Sequence, residues 1–267
     1  MFARSASPPG SAPSPASRRN LDAAARARLQ RSRVRPGARC VFARIAGRYD
    51  LLCDLFSLGI HRLWKRGMAS AIAKHRGDVL LDLASGTGDI PVRLLRGGGA
   101  PRELWVTDIS EGMLAIARPK LEGLDAVRFA LLDAENLHQI ADASIDICPM
   151  SFGMKICDRQ KVMREVYRVL RPGGRFYCLE AARITVPGLH TLYLAYMSWC
   201  MPLIGRIATG GDRSAYLYLL RGVRDFPDQK TLAAELLAAG YTAVTCRNMT
   251  LGIVALHEAG KPHSAAS

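Results

Sequence analysis

One stretch constrains this chain more than any other: Val79 to Asp89, Val-Leu-Leu-Asp-Leu-Ala-Ser-Gly-Thr-Gly-Asp. Val79 to Leu83 is an apolar run of strand length holding one acid, Asp82. Ser85, Gly86, Thr87 and Gly88 then predict a tight loop, and Ile90 to Leu95 opens a helix. Strand, glycine loop and helix make the first half of a nucleotide-binding βαβ unit. The glycines let backbone approach a ligand where a Cβ would intrude. A dinucleotide site is disfavoured, because after Gly86 and Gly88 the third glycine position, 91, is proline. A phosphate loop is disfavoured too, because no Gly-Lys-Ser/Thr follows.

The next strand, Leu104 to Thr107, ends on Asp108. A carboxylate there can accept from two vicinal hydroxyls at once. Asp82-x-x-x-Gly86-x-Gly88 followed by Asp108 resembles the cofactor motif of class I S-adenosylmethionine-dependent methyltransferases. The resemblance implies an α/β, Rossmann-like fold with a seven-stranded, mostly parallel sheet and helices on both faces. It implies S-adenosyl-L-methionine as cofactor. Asp82, Gly86, Thr87 and Gly88 would wrap its methionine part and Asp108 its ribose. Asp133 and Ala134, directly after the third strand (Val127 to Leu132), would meet adenine, and Ser151, closing the fourth strand, would face the cofactor. Without the resemblance, residues 133–134 read equally well as a plain strand-end turn.

A second resemblance is narrower. Arg48-Tyr49-Asp50-Leu51-Leu52-Cys53-Asp54, then Leu58-Gly59-Ile60-His61-Arg62-Leu63-Trp64-Lys65-Arg66, is similar to the entry segment of the UbiE and COQ5 type of methyltransferase, with Cys53 where that family has Asn. Thr250-x-Gly252-Ile253-Val254-Ala255-Leu256-His257 matches its ending. The likeness spans about 41–262. It implies methylation of a ring carbon in ubiquinone or menaquinone biosynthesis, a prenylated quinol substrate, contact with a membrane surface, and a homodimer or a quinone-biosynthesis complex as possible assemblies. Tyr49 or Asp50 would stand near the acceptor's proton, and Lys155 near its oxygen, without a metal. Phe152-Gly153-Met154-Lys155-Ile156 departs from the family's Phe-Gly-Leu/Ile-Arg-Asn. Lysine keeps the charge but lacks arginine's planar fork. Taken alone, Tyr49, Trp64 and His61 read first as packing residues.

Two rival readings stay open: a methyltransferase acting on another small apolar acceptor, favoured by Lys155 and Ile156, and a non-catalytic lipid-binding subunit with the same fold.

The remaining chain reads as helix over Val41 to Lys74 with a break at Ser57-Leu58-Gly59. Ser110 is expected to cap a helix running through Ala117, and another helix runs from Asp158 to Leu170. Arg171-Pro172-Gly173-Gly174-Arg175 reads as a glycine helix cap before a strand at Phe176 to Glu180. Pro149 is awkward inside the fourth strand, Ile145 to Ser151. Residues 185–220, rich in Leu, Tyr, Met and Trp, read as a helical lid. Two antiparallel strands, Val244 to Asn248 and Gly252 to His257, close the domain after a helix ending at Ala239, and 263–267 form a tail.

Charge separates a tail from this domain. The protein has 267 residues, 49% of them apolar, and a net charge of +14. Residues 1–44 carry ten Arg, no Lys and one acid, Asp22, leaving 27 basic against 22 acidic residues beyond. The folded part is therefore only mildly basic, which argues against a nucleic-acid partner. Residues 1–40 are expected to be disordered. They fit either an unselected extension or a mitochondrial transit peptide. The corresponding locations are the cytoplasmic face of the inner membrane and the mitochondrial matrix. Seven scattered cysteines without Cys-x-x-Cys suit a reducing compartment. The longest apolar run, Leu189 to Gly205, contains His190 and Pro202 and is not read as a membrane span.

Overall fold

The computed structural model describes residues 46–184, 186, 188–209 and 214–263, without the side chains of Arg48 and of 201–219. The expectations for residues 1–45 and 264–267 lie outside these, as do residues 185, 187 and 210–213 of the expected lid. The elements in order are α1 (Tyr49–Ser57), α2 (His61–Ile72), β1 (Val79–Asp82), α3 (Asp89–Arg96), β2 (Glu103–Asp108), α4 (Glu111–Lys120), β3 (Val127–Leu131), β4 (Ile145–Ser151), α5 (Arg159–Val169), β5 (Leu170–Ala181), α6 (Leu189–Thr209), α7 (Ser214–Asp225), α8 (Gln229–Ala238), β6 (Thr242–Met249) and β7 (Val254–Gly260).

The strands form one sheet in the order β3-β2-β1-β4-β5-β7-β6. Pairs among the first five are parallel, and β7 runs antiparallel to both its neighbours. All four residues of β1 are buried, as a central parallel strand covered on both faces requires. Val79 and Leu81 pack on one face with α5 residues Val162, Met163 and Val166. Leu80 packs on the other with Met68 and Ile72 of α2 and Ile90 and Leu94 of α3. The strand order reverses between β1 and β4. Ligands of such sheets sit at the carboxyl ends of the strands at that point. Here those ends are Asp82 and Ser151. Among the described residues no helix is long and apolar enough to cross a membrane.

Two local expectations are corrected. The glycines of Arg171–Arg175 do not cap α5. They lie within β5, where the register jumps from Ile145↔Leu170 to Ile147↔Arg175. Gly173 takes φ +80° and its N–H donates to Lys261 O, while the Lys261 N–H donates to Gly174 O. The helix end is satisfied instead by the Lys261 ammonium, which donates to Tyr167 O and Leu170 O, each at 2.8 Å. Ser110 occupies the N-cap position of α4 but its hydroxyl makes no capping bond. Asp108 accepts from the Ser110 N–H at 2.8 Å in its place. Pro149 does stand in a central strand, its carbonyl accepting from Leu83 N–H at 2.9 Å.

Candidate active site

The loop after β1 is pinned from several sides. Thr107 Oγ1 and Ser85 Oγ both donate to the Asp82 carbonyl, at 2.7 and 3.0 Å. Ser85 N–H donates to Thr107 O at 2.8 Å. Gly86 N–H donates to Asp108 Oδ2 at 2.9 Å, so the acid ending β2 holds the loop directly. Ala84, Gly86 and Gly88 all take positive φ, at +50°, +56° and +83°. A Cβ on Gly88 would sit 3.1 Å from the Ala117 Cβ, so α3 and α4 approach only across a glycine. Gly86 faces open space instead, with only the Tyr49 ring within 4 Å of a Cβ placed there. Non-glycine residues at positive φ cost energy and collect at functional sites. Ala84 and Phe152 (φ +56°) flank this loop.

Asp82 is fully buried, and among the described residues neither carboxylate oxygen has a hydrogen-bond partner. Burial pushes its pKa up to about 7, against a smaller lowering by Ser85 and Lys65. Asp108 is also buried and its pKa is raised by desolvation, opposed by the Ser110 and Gly86 amides. The amides of Ser110, Gly86 and Ile109 bond to it, and a carboxylate with about four acceptor sites keeps capacity for a further donor. A buried acceptor pair, a cradle open above Gly86 and an acid at the end of β2 fit a ligand bringing positive charge and vicinal hydroxyls. S-adenosyl-L-methionine has both. Asp133 Oδ1 accepts from Glu135 N–H at 2.9 Å, and Ala134 beside it is buried.

Beside Gly86 opens a cavity of about 300 Å³. Leu52, Phe56, Ile60 and Trp64 of the entry segment form much of its wall, and Tyr193 and Met197 of α6 face it from the other side. Trp64 is held by its indole N–H, which donates to Thr250 Oγ1 at 2.8 Å. Thus the entry segment and the chain ending, 186 positions apart, meet at one wall. Polar groups interrupt the apolar lining at Tyr49, Cys53, His61, Ser151 and Lys155.

Tyr49 hydrogen-bonds Cys53, and its pKa is raised well above the usual phenol value. The Cys53 charge is the largest cause, then burial, with Asp108 and Glu180 adding. Tyr49 is therefore a neutral phenol at physiological pH. Lys155 Nζ donates to Phe152 O at 2.5 Å and to Glu180 Oε1 at 2.9 Å, and its backbone N–H reaches Glu180 Oε2 at 3.1 Å. Asp50 is not among the cavity-lining residues. Its carboxylate accepts from Thr87 Oγ1 at 2.6 Å and Lys120 Nζ at 2.9 Å, tying α1 to the glycine loop. Tyr49 and Lys155 thus reach the cavity, and Asp50 does not.

Sequence reading overlooked Glu180 and the Lys65–Asp89 pair at 2.7 Å. Each had a signal. Glu180 is a lone acid near the end of an apolar strand, and Lys65 lies on the buried face of α2.

The comparisons agree with this architecture. Among solved structures, a methyltransferase of Thermotoga maritima described as a possible histamine N-methyltransferase superposes with TM-score 0.59, covering 84% of this chain and 99% of that one. A putative methyltransferase complex of Haloferax volcanii gives 0.58 over 83% and 98%. Both are 17% identical and speak for the fold alone. A relative from Acidiphilium cryptum, named ubiquinone/menaquinone biosynthesis C-methyltransferase UbiE, is 43% identical over 234 residues, covering 86% of this chain and 92% of its own. The protein of that name from Paracoccus denitrificans is 42% identical over 225 residues, covering 83% and 89%. The model of the ubiE/COQ5 methyltransferase family matches residues 29–261, and the chain belongs to that family.

Proposed function

We propose that this protein is an S-adenosyl-L-methionine-dependent C-methyltransferase acting on the ring of a prenylated benzo- or naphthohydroquinone in ubiquinone or menaquinone biosynthesis. The relatives' names support the reaction. The observation that carries the reading on this chain is the apolar cavity opening directly onto Gly86, with a lysine set in its wall. A prenylated ring suits such walls, and a cation suits an oxygen that becomes negative.

The cofactor supplies an activated methyl group. Asp82, Gly86, Thr87 and Gly88 hold its amino-acid part, Asp108 its ribose, Asp133 and Ala134 its adenine, and Ser151 borders it from β4. The enzyme's own work is then to orient the ring and to raise its nucleophilicity. Orientation alone can supply up to about 7–11 kcal/mol. Loss of a hydroxyl proton pushes electron density onto the ortho carbon. Lys155, steered by Glu180, balances the oxyanion. Tyr49, a neutral phenol, donates to the same oxygen. Asp50, committed to Thr87 and Lys120, positions the loop rather than taking the proton.

The cavity mouth meets the cytoplasmic face of the membrane. Leu58 lines the cavity and is 78% exposed, and Trp199 on α6 is 82% exposed. An exposed apolar side chain at the cavity, such as Leu58, suits entry of a prenyl tail from lipid. A second reading, another small apolar acceptor, is favoured by Lys155 and Ile156 in place of the family's Arg-Asn. Complementation decides between them. The wild-type gene should restore methylated quinone, weighed by mass spectrometry, in a strain lacking its quinone methyltransferase, whereas Tyr49→Phe and Lys155→Ala should leave demethyl quinone accumulating. An unmethylated pool with the wild-type gene sinks the quinone reading. Full restoration by both variants sinks the residue roles.

A further inference from the structure

His61 opens α2 and is buried against the cavity that Tyr49 and Lys155 also line. Its imidazole has a defined tautomer. Ser57 Oγ donates to the Cys53 carbonyl at 2.7 Å, two oxygens that would repel without a proton between them. A hydroxyl has one proton to give. Ser57 Oγ must therefore accept from its other two neighbours, the His61 N–H at 3.3 Å and Nδ1 at 2.8 Å. The proton of the neutral ring thus sits on Nδ1. Asp54 Oδ1, 3.7 Å from Nδ1, favours the same placement. Nε2 keeps a lone pair, and none of the ring's hydrogen bonds among the described residues uses it. A ring turned this way, with one nitrogen oriented by a hydroxyl and a carboxylate and the other bare, has the arrangement of a general base.

We propose that Nε2 of His61 takes the hydroxyl proton of the acceptor. The proposal rests on the hydroquinone reading above. The O–H bond breaks with its electron pair left on the ring oxygen, and an N–H bond forms at Nε2. The imidazolium so made is balanced by Asp54, itself held by Arg62 at 2.8 Å. The proton returns to solvent after turnover. Ser57 and Asp54 are positioning residues. The charged groups facing the ring are Asp54 from α1, Arg62 and Lys65 from α2, and Asp89 from α3. Burial is the largest influence on the ring and lowers its pKa, with Lys65 and Arg62 adding to it against the two acids. His61 is accordingly unprotonated, and ready to accept, at neutral pH.

The test is methyl transfer by the full chain to a short-tailed, reduced demethyl quinol. It is repeated with an analogue whose electron-withdrawing substituent leaves the hydroxyl already ionised. His61→Asn keeps an amide where Nδ1 stood and removes Nε2. Expected with the quinol is a fall in kcat of about 10²- to 10³-fold and loss of the acid limb of the pH–rate profile, which in the wild type lies below the ordinary imidazole value. On the ionised analogue the loss should shrink at least ~10-fold, because no proton remains to be taken. Cofactor affinity by calorimetry should stay within about two-fold, which separates lost chemistry from lost folding. Equal impairment on both acceptors, or an intact acid limb, overturns the assignment while leaving the quinone reading standing. If the wild type methylates neither acceptor, the assignment falls with that reading.

Discussion

Asp82→Asn is the most exposing single change at this site. The carboxylate is fully buried, neither oxygen is hydrogen-bonded among the described residues, and burial moves its pKa from 3.8 to about 7. Between those values the unfolded chain has released its proton while the folded chain keeps it. The folded state then binds more protons, so stability falls as pH rises through this window and levels off above about pH 7. Each pH unit costs about 1.4 kcal/mol, and the whole shift about 4 kcal/mol. An asparagine carries no such term. Urea unfolding of the ligand-free proteins at about pH 5 and 8 should therefore show the variant gaining on the wild type by roughly 2–3 kcal/mol across that range. Saturating S-adenosyl-L-methionine should reverse the benefit, since a cation beside Asp82 stabilises the carboxylate and gives the asparagine nothing to match. A stability difference that stays flat between the two pH values would refute the reasoning, because Asp82 would then be ionising without penalty.

Two further changes probe the cradle and the lysine. Gly86→Ala meets no protein atom closer than the Tyr49 ring at 3.9 Å, so its left-handed backbone should cost only about 1–2 kcal/mol in denaturant melts, while cofactor affinity by calorimetry drops at least ~10-fold. Glu180→Ala strands a nearly buried lysine, whose side chain is 9% exposed and Glu180's 1%. A loss of about 3–5 kcal/mol is expected, and the Lys155→Ala/Glu180→Ala double variant should be well short of the summed single losses in a double-mutant cycle.

Much of the scaffold was legible in adjacent residues. The run Val79–Leu81, apolar at every position, announces a strand covered on both faces. Gly86 and Gly88 announce backbone that other residues take only at a cost, and both indeed have positive φ. The two closing strands expected at 244–248 and 252–257 stand at Thr242–Met249 and Val254–Gly260, with Gly252 in the turn between them. What failed was a local motif with two outcomes. Arg171-Pro172-Gly173-Gly174 looks like a helix cap, yet Gly173 bonds Lys261 and the helix end takes that lysine's ammonium. No residue near 171 reveals that partner.

The chain's order of residues alone therefore determined the strand–loop–helix unit, the acid at the end of the second strand and the kinship of the entry segment, because dihedral preference and burial period act within a few neighbours. Tertiary structure decided which charges meet. It turned Asp50 away to Thr87 and Lys120, joined Lys155 to Glu180, and brought Thr250 to Trp64. Those partners stand 25 to 186 positions apart. Side-chain hydrogen bonds reach only about 3 Å, so such pairings exist only once the sheet and its helices have packed.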